Sequence, residues 1–145
     1  MKHRARGVTL MELMVVVAVL SIIASIAVPS YRSYLRRAQR SDATAELLRV
    51  RTAQEKFFLQ NIAYTGDFGP AGLNMTPAAS ATRASEHGFY TITVAVNVAG
   101  RPVPNFDVSA AATGGQLDDT ACQTFTINEV GVRGSSPNGI TTCWK

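Results

Sequence analysis

The stretch Gly7-Val8-Thr9-Leu10-Met11-Glu12-Leu13 opens the longest apolar segment of this 145-residue chain. Residues 13–28 carry no charge, and Glu12 is the only charged side chain between Val8 and Val28. A helix over this segment would rise about 30 Å, which matches the hydrocarbon core of a bilayer. The sequence therefore predicts that the first part of the chain enters a membrane, while the rest is polar and mixed.

Three alternatives account for this beginning. The first is a secretory signal with a basic start, an apolar run and small residues at Ser25 and Ala27 for cleavage. The second is a transmembrane helix, whose preceding basic residues would hold the N-terminus in the cytoplasm. Neither of these explains Glu12, because a carboxylate costs roughly 3 kcal/mol to place in hydrocarbon.

The residues that follow the basic leader favour a third alternative. Arg6 to Leu13 resemble the processing site of type IV prepilins, and the resemblance continues to about residue 34. In that family a membrane-embedded peptidase cuts after the glycine and methylates the new N-terminal amine. The resemblance implies that residues 1–7 are a leader, that cleavage falls between Gly7 and Val8, and that Val8 becomes N-methylated.

The processing site departs from the family pattern at one position and matches it at another. Val8 departs from the family pattern, which usually has phenylalanine there. Glu12 matches the family's glutamate and would pair with the cationic Val8 amine of its own or a neighbouring subunit, which would offset the desolvation of both groups. The local alternative is that Thr9-x-x-Glu12 is a capping box at the start of a helix. The two roles are compatible.

The helical pattern continues beyond Pro29 to about Asn61. Because proline lacks a backbone donor and crowds the preceding turn, the sequence predicts a kink or local melting near Ser25–Pro29. The resemblance implies that Pro29 has a part in assembly. The alternative is that Pro29 only marks the point where the helix leaves the membrane, where proline is tolerated. A helix of about 50 residues is too long for one small head to cover. Its first half must therefore pack against other copies or lie in lipid.

The remaining sequence predicts a small head with an α+β fold. Three or four antiparallel strands would pack on the second half of the helix. The strand signals are residues 89–96, 106–112 and 123–130. The predicted segments of the whole chain are the leader 1–7, a transmembrane and assembly helix 8–29, and a head 30–145 with amphipathic helix 30–61, loop 62–87, sheet 88–130 and disulfide loop 122–143.

Both cysteines, Cys122 and Cys143, lie near the C-terminus. In a cytosolic protein they would be free thiols or half of a metal site, whereas behind an export signal a disulfide is the simpler interpretation. The C-terminal segment resembles that of pilin heads in which a disulfide holds the last segment of the chain. A loop of about 20 residues closed in this way would contribute about 3 kcal/mol. Trp144 is predicted to pack rather than to lie exposed.

The net charge of +4 belongs mainly to the leader and the early helix. Without the three basic residues of the leader, 11 basic side chains face 10 acidic ones. From Phe57 onward the acidic side chains outnumber the basic ones, so a broad cationic face for nucleic acid is not expected unless the basic residues cluster in space. Those basic residues are Arg83, Arg101, Arg133 and Lys145. The arginines between residues 32 and 51 are predicted to form a solvated face, with lipid headgroups as the alternative partner.

No catalytic motif or metal-ligand spacing is present in the sequence. We therefore predict that the chain is not an enzyme and binds no cofactor. His87 lies alone in a predicted loop, and Asp118-Asp119 favours an exposed turn over a Ca²⁺ site.

The resemblance implies a structural subunit of a type IV pilus that serves adhesion, twitching motility or DNA uptake. Two alternatives stay open, namely a minor pilin that acts as a DNA-uptake receptor and a type II secretion pseudopilin. The implied partners are other pilin subunits, a prepilin peptidase, the inner-membrane assembly machinery and, for the receptor alternative, DNA. The precursor is expected in the inner membrane and the mature protein in the extracellular pilus.

Overall fold

A computed structural model describes residues 9–144 of the chain. The chain divides into two compact units, one ending at Leu35 and the other beginning at Arg36. The first helix, α1 (Leu10–Asn61), contributes to both units. It remains helical on both sides of Pro29, so the predicted local melting is not found.

Helix α1 ends where the sequence predicts. The amide of Ile62 donates to the Phe58 carbonyl at 2.8 Å, and the side chain of Asn61 donates to the Phe57 carbonyl at 3.0 Å. Ile62 itself has a φ of 53°. Because a left-handed residue cannot continue the helix, the chain leaves its axis at this point.

Five strands follow in the second unit and form one antiparallel sheet in the order β1-β2-β3-β4-β5. The strands are β1 (Thr82–Ala84), β2 (Tyr90–Val96), β3 (Phe106–Ala112), β4 (Cys122–Asn128) and β5 (Arg133–Pro137). A 3₁₀ helix (Gly114–Asp118) precedes β4, and a short helix α2 (Ile140–Cys143) follows β5. The α+β architecture is confirmed, but the predicted three or four strands were too few.

The core lies between one face of the sheet and a stripe on α1. Alternate side chains of β2 and β3 are buried, including Tyr90, Ile92 and Phe106. On α1 the buried apolar positions are Ala43, Leu47 and Val50, which recur at the three- and four-residue spacing of one helix face. The same stripe also buries Asp42, Glu46 and Gln54.

Candidate assembly segment and head surface

The start of α1 is capped by a local hydrogen bond. The backbone amide of Glu12 donates to Thr9 Oγ1 at 3.2 Å, which is one half of the predicted capping box and involves the backbone of Glu12, not its carboxylate. The Glu12 carboxylate itself is exposed. Gly7 and Val8 lie outside the described residues, so cleavage, methylation and the pairing of Glu12 with the Val8 amine stay predictions.

The large apolar side chains from Leu10 to Val28 are all exposed, with fractions between 77% for Leu10 and 48% for Val28. This part of α1 is long and apolar enough to cross a membrane. Apolar surface of this extent requires either lipid or another protein surface to cover it.

The two serines of the apolar segment satisfy their hydroxyl groups within the helix. Ser21 Oγ donates to the Val17 carbonyl at 2.8 Å, and Ser25 Oγ donates to the Ile22 carbonyl at 2.7 Å. Such internal bonds make the hydroxyls compatible with hydrocarbon. Pro29 has no amide proton to donate to the Ser25 carbonyl four residues earlier, so the helix lacks one backbone hydrogen bond here.

In the head, a buried ion pair joins α1 to the segment before β4. Arg40 Nε and Arg40 Nη2 donate to the two carboxylate oxygens of Asp119 at 2.6 and 2.8 Å. Only 11% of the Arg40 side chain and 6% of the Asp119 side chain are exposed. The hydrogen bond to Asp119 raises the pKa of Arg40. Arg40 therefore does not belong to a solvated face, and Asp119, unlike its exposed neighbour Asp118, does not lie in an exposed turn.

The side-chain nitrogen of Gln116, next to this pair, is also hydrogen-bonded, although its buried Oε1 has no hydrogen-bond partner among the described residues. Gln116 is buried, and its Nε2 donates to the Tyr90 hydroxyl at 2.9 Å and to the Arg36 carbonyl at 3.1 Å. Burial raises the pKa of Tyr90 to about 12. Within residues 9–144 no group of three or more His, Cys, Asp or Glu side chains is arranged to hold a metal ion.

A second polar cluster lies one turn along α1 and holds the turn between β1 and β2. His87 Nδ1 lies 3.0 Å from Asp42 Oδ1, so His87 is not isolated as the sequence suggested. Arg49 Nη1 donates to Glu46 Oε2 at 3.0 Å. Arg83 Nε lies 2.8 Å from Glu46 Oε1, a charge contact without the alignment of a hydrogen bond. The sequence does not predict these contacts, because Asp42–His87 and Glu46–Arg83 each join residues far apart in the chain.

Two of the three described basic residues after Phe57 are paired with carboxylates. Arg83 contacts Glu46, and Arg101 lies 3.0 Å from Asp107 and 3.4 Å from Glu129. Arg133 is exposed, and its guanidinium lies 5.0 Å from the centre of the Trp144 ring. Lys145 lies outside the described residues. The ion pairs therefore reduce the positive charge that Arg83 and Arg101 could offer to DNA.

The predicted disulfide is confirmed. Cys122 and Cys143 are bonded, and both are buried. Trp144 packs beside the bridge, because its ring meets Phe125 edge-on at 6.0 Å and its Nε1 donates to the Gly134 carbonyl at 2.7 Å. The bridge and the indole together hold the last residues of the chain against β4 and β5.

Comparisons with known proteins match both parts of the chain. Residues 29–126 match the family model described as "Type IV minor pilin ComP, DNA uptake sequence receptor". Residues 2–28 match the "Prokaryotic N-terminal methylation motif".

Three relatives illustrate the extent of the similarity. The type IV major fimbrial protein FimA of Dichelobacter nodosus is 35% identical, over 57% of this chain and 69% of the relative. The type IV major pilin protein PilA of Myxococcus xanthus is 42% identical, over 43% of this chain and 28% of the relative. The prepilin peptidase-dependent protein D of Escherichia coli is 36% identical, over 55% of this chain and 53% of the relative. The chain thus spans less than two thirds of the length of the last two relatives.

Proposed function

The chain belongs to the type IV pilin family, and on that premise we propose that it is a subunit that polymerises into a pilus through the first half of α1. Its precursor is a membrane protein, and the mature chain lies in the pilus at the cell surface. A prepilin peptidase would cut after Gly7, methylate Val8 and leave the apolar helix at the new N-terminus.

The observation that carries this proposal is the exposed apolar surface from Leu10 to Val28, interrupted by one carboxylate. In the precursor, lipid would cover this surface. In the fibre, the same surface of neighbouring subunits would cover it, so leaving the bilayer would expose no apolar area to water. Glu12 would then pair with the Val8 amine of a neighbour and penalise every other axial register.

The Glu12→Ala variant tests the proposal. We expect normal cleavage after Gly7 but strongly reduced recovery of the chain in sheared surface fibres, because the Val8 amine would lose its partner. Asp118→Ala is a matched control, since it removes an exposed carboxylate of the head. Equal recovery of both variants in fibres would remove the pairing role of Glu12.

A second candidate function is a minor pilin that captures DNA during uptake. Its support is the match of residues 29–126 to the ComP family model, which covers most of the head. Arg133 is exposed beside the Trp144 ring, so its guanidinium could contact a phosphate. The ion pairs of Arg83 and Arg101 neutralise part of the positive charge of the head, which argues against a wide cationic surface for DNA.

DNA binding by the full chain in detergent micelles tests this second candidate. A receptor should bind duplex DNA with an affinity that falls as salt rises, and Arg133→Gln should weaken that binding more than Arg37→Gln. Absence of salt-dependent binding at low ionic strength would reject it. The type II secretion alternative stays a prediction, which a secretion assay after gene deletion would test.

A further inference from the structure

A cavity of about 310 Å³ lies between the C-terminal half of α1 and the loop that follows it. Lys56, Phe57 and Gln60 line it from the helix, at positions that share one face. Pro70, Gly72 and Asn74 line it from the loop. Neither the proposed polymerisation through α1 nor the DNA-receptor candidate uses this cavity.

The loop wall of the cavity is held in place by its own hydrogen bonds. Asp67 Oδ1 accepts from the amides of Gly69 and Ser80 at 2.8 and 2.9 Å, and the Asp67 carbonyl accepts from the amide of Leu73 at 2.9 Å. Phe68 and Leu73 are buried and anchor the loop to the core. The wall is therefore preformed, which reduces the entropic cost of binding a ligand.

Gly72 is required for this wall. A Cβ atom at position 72 would lie 2.0 Å from the Asp67 carbonyl oxygen, a backbone atom that cannot move aside. The adjacent Asn74 adopts a φ of 54°, a conformation that asparagine tolerates better than most residues. Glycine at position 72 and asparagine at position 74 are therefore compatible with the backbone conformation that forms the cavity wall.

The lining combines one cation, two amides and two apolar rings. Among the residues that line the cavity, all within the described part of the chain, Lys56 is the only charged one. Gln60 and Asn74 can donate to and accept from hydroxyl groups, while Phe57 and Pro70 can pack against the face of a saturated ring. We propose that this cavity binds a carboxylated sugar unit of the hexuronate class, with the carboxylate at Lys56, the hydroxyls at the two amides and the ring against Phe57.

The same chemistry argues against a nucleic acid at this place. A polyanionic backbone needs several cations in a row, and the cavity offers one. Its volume suits a single sugar ring with its substituents. One positive charge beside two amides instead matches a ligand that carries one negative charge and several hydroxyls.

The test is an NMR titration of the ¹⁵N-labelled full chain in micelles of a polyoxyethylene detergent, whose headgroup contains no sugar. Methyl β-glucuronide should shift the backbone amides of Gly72, Leu73 and Asn74 in a saturable manner. Methyl β-glucoside, which differs in lacking the carboxylate, should bind at least about tenfold more weakly.

Three variants locate the contacts. Lys56→Gln should lower the affinity for the glucuronide by about tenfold and abolish its preference over the glucoside. Asn74→Gly should lower the affinity for both sugars, because it removes the amide without straining the backbone. Arg37→Gln, which removes an exposed cation elsewhere on α1, should change neither affinity.

Three results would overturn the proposal. The first is an absence of saturable shifts at Gly72, Leu73 and Asn74. The second is equal binding of the two sugars to the unmodified chain, which would remove the carboxylate contact. The third is stronger perturbation of the same amides by a short single-stranded oligonucleotide, which would make the cavity a nucleic-acid subsite instead.

Discussion

At the residue scale, the distinctive feature of the head is the number of ionised groups placed on the core stripe of α1. Asp42 and Glu46 are almost fully buried beside Ala43 and Leu47. A buried carboxylate is tolerated only when partners replace its hydration; Asp42 has His87 in the turn between β1 and β2, and Glu46 has Arg83 in β1. The buried guanidinium of Arg40 is compensated in the same way, by its ion pair with Asp119. These contacts fix where the sheet lies against the helix.

The Arg40–Asp119 pair should be costly to break from one side. We expect Arg40→Met to lower the free energy of unfolding by about 3–5 kcal/mol, because Asp119 would stay buried without a counter-charge. Urea denaturation of the full chain in micelles, followed by circular dichroism, measures the loss. The double variant Arg40→Met/Asp119→Leu should recover most of it. A loss below about 1 kcal/mol in the single variant would mean that the pair is replaceable by water.

The Asp42–His87 contact should make stability depend on pH. The hydrogen bond and the charge of Asp42 raise the pKa of His87 above its ordinary value of 6.5, and the Glu86 carboxylate adds to this. Burial raises the pKa of Asp42, but hydrogen bonds from Ser85 and His87 outweigh it and hold that pKa below 3.8. The stabilisation by protonated His87 is therefore complete below pH 6.5 and is lost as the pH rises through its folded-state pKa.

The expected result is a melting temperature that falls as the pH rises above 6.5 in the native chain and falls less in His87→Gln. Differential scanning fluorimetry at several pH values measures both. Asp118→Asn serves as the control, because it changes the charge of an exposed residue in the 3₁₀ helix, away from the Asp42–His87 contact. Parallel pH profiles of the native chain and His87→Gln would contradict the interpretation.

At the element scale, the strand that needs most outside support is β5. Its sequence, Arg-Gly-Ser-Ser-Pro, has no β-branched or aromatic residue, so pairing with β4 comes from its surroundings rather than from local propensity. Two contacts supply that support. The disulfide ties Cys143 to the first residue of β4, and the Trp144 indole donates to the Gly134 carbonyl within β5.

Removal of the disulfide should therefore act first on β5. We expect the Cys122→Ser/Cys143→Ser variant to lose about 3 kcal/mol of unfolding free energy, given a sequence separation of 21 residues. Hydrogen exchange should show protection lost in β5 before it is lost in β2 and β3. Uniform loss of protection across the sheet would instead mean that the bridge stabilises the head as a whole.

Elements with a strong local pattern could be predicted from sequence, and elements that depend on tertiary contacts could not. The apolar run, the end of α1 at Asn61 and strands β2 to β4 all carry local signals. Strand β1 has only three residues and pairs through its neighbour β2, so it was assigned to the loop. The Arg40–Asp119 pair joins residues 79 positions apart, a distance over which one sequence holds no signal.

At the scale of the whole molecule, the chain has two units. The first exposes its apolar side chains, and the second has a buried core of its own. The second unit has buried apolar residues on both the helix and the sheet. The first has none buried among the described residues, so its stability depends on lipid or on other subunits. This division is consistent with the proposed function, in which the first unit lies in lipid in the precursor and packs against other subunits in the fibre.

The most direct test is the intact mass and N-terminal sequence of the chain recovered from sheared surface fibres. Our account predicts a chain that begins with N-methylated Val8 and is two hydrogen atoms lighter because Cys122 and Cys143 are bonded. A secreted chain that begins at Val28, or absence of the chain from fibres while the unprocessed protein stays in the membrane, would contradict it.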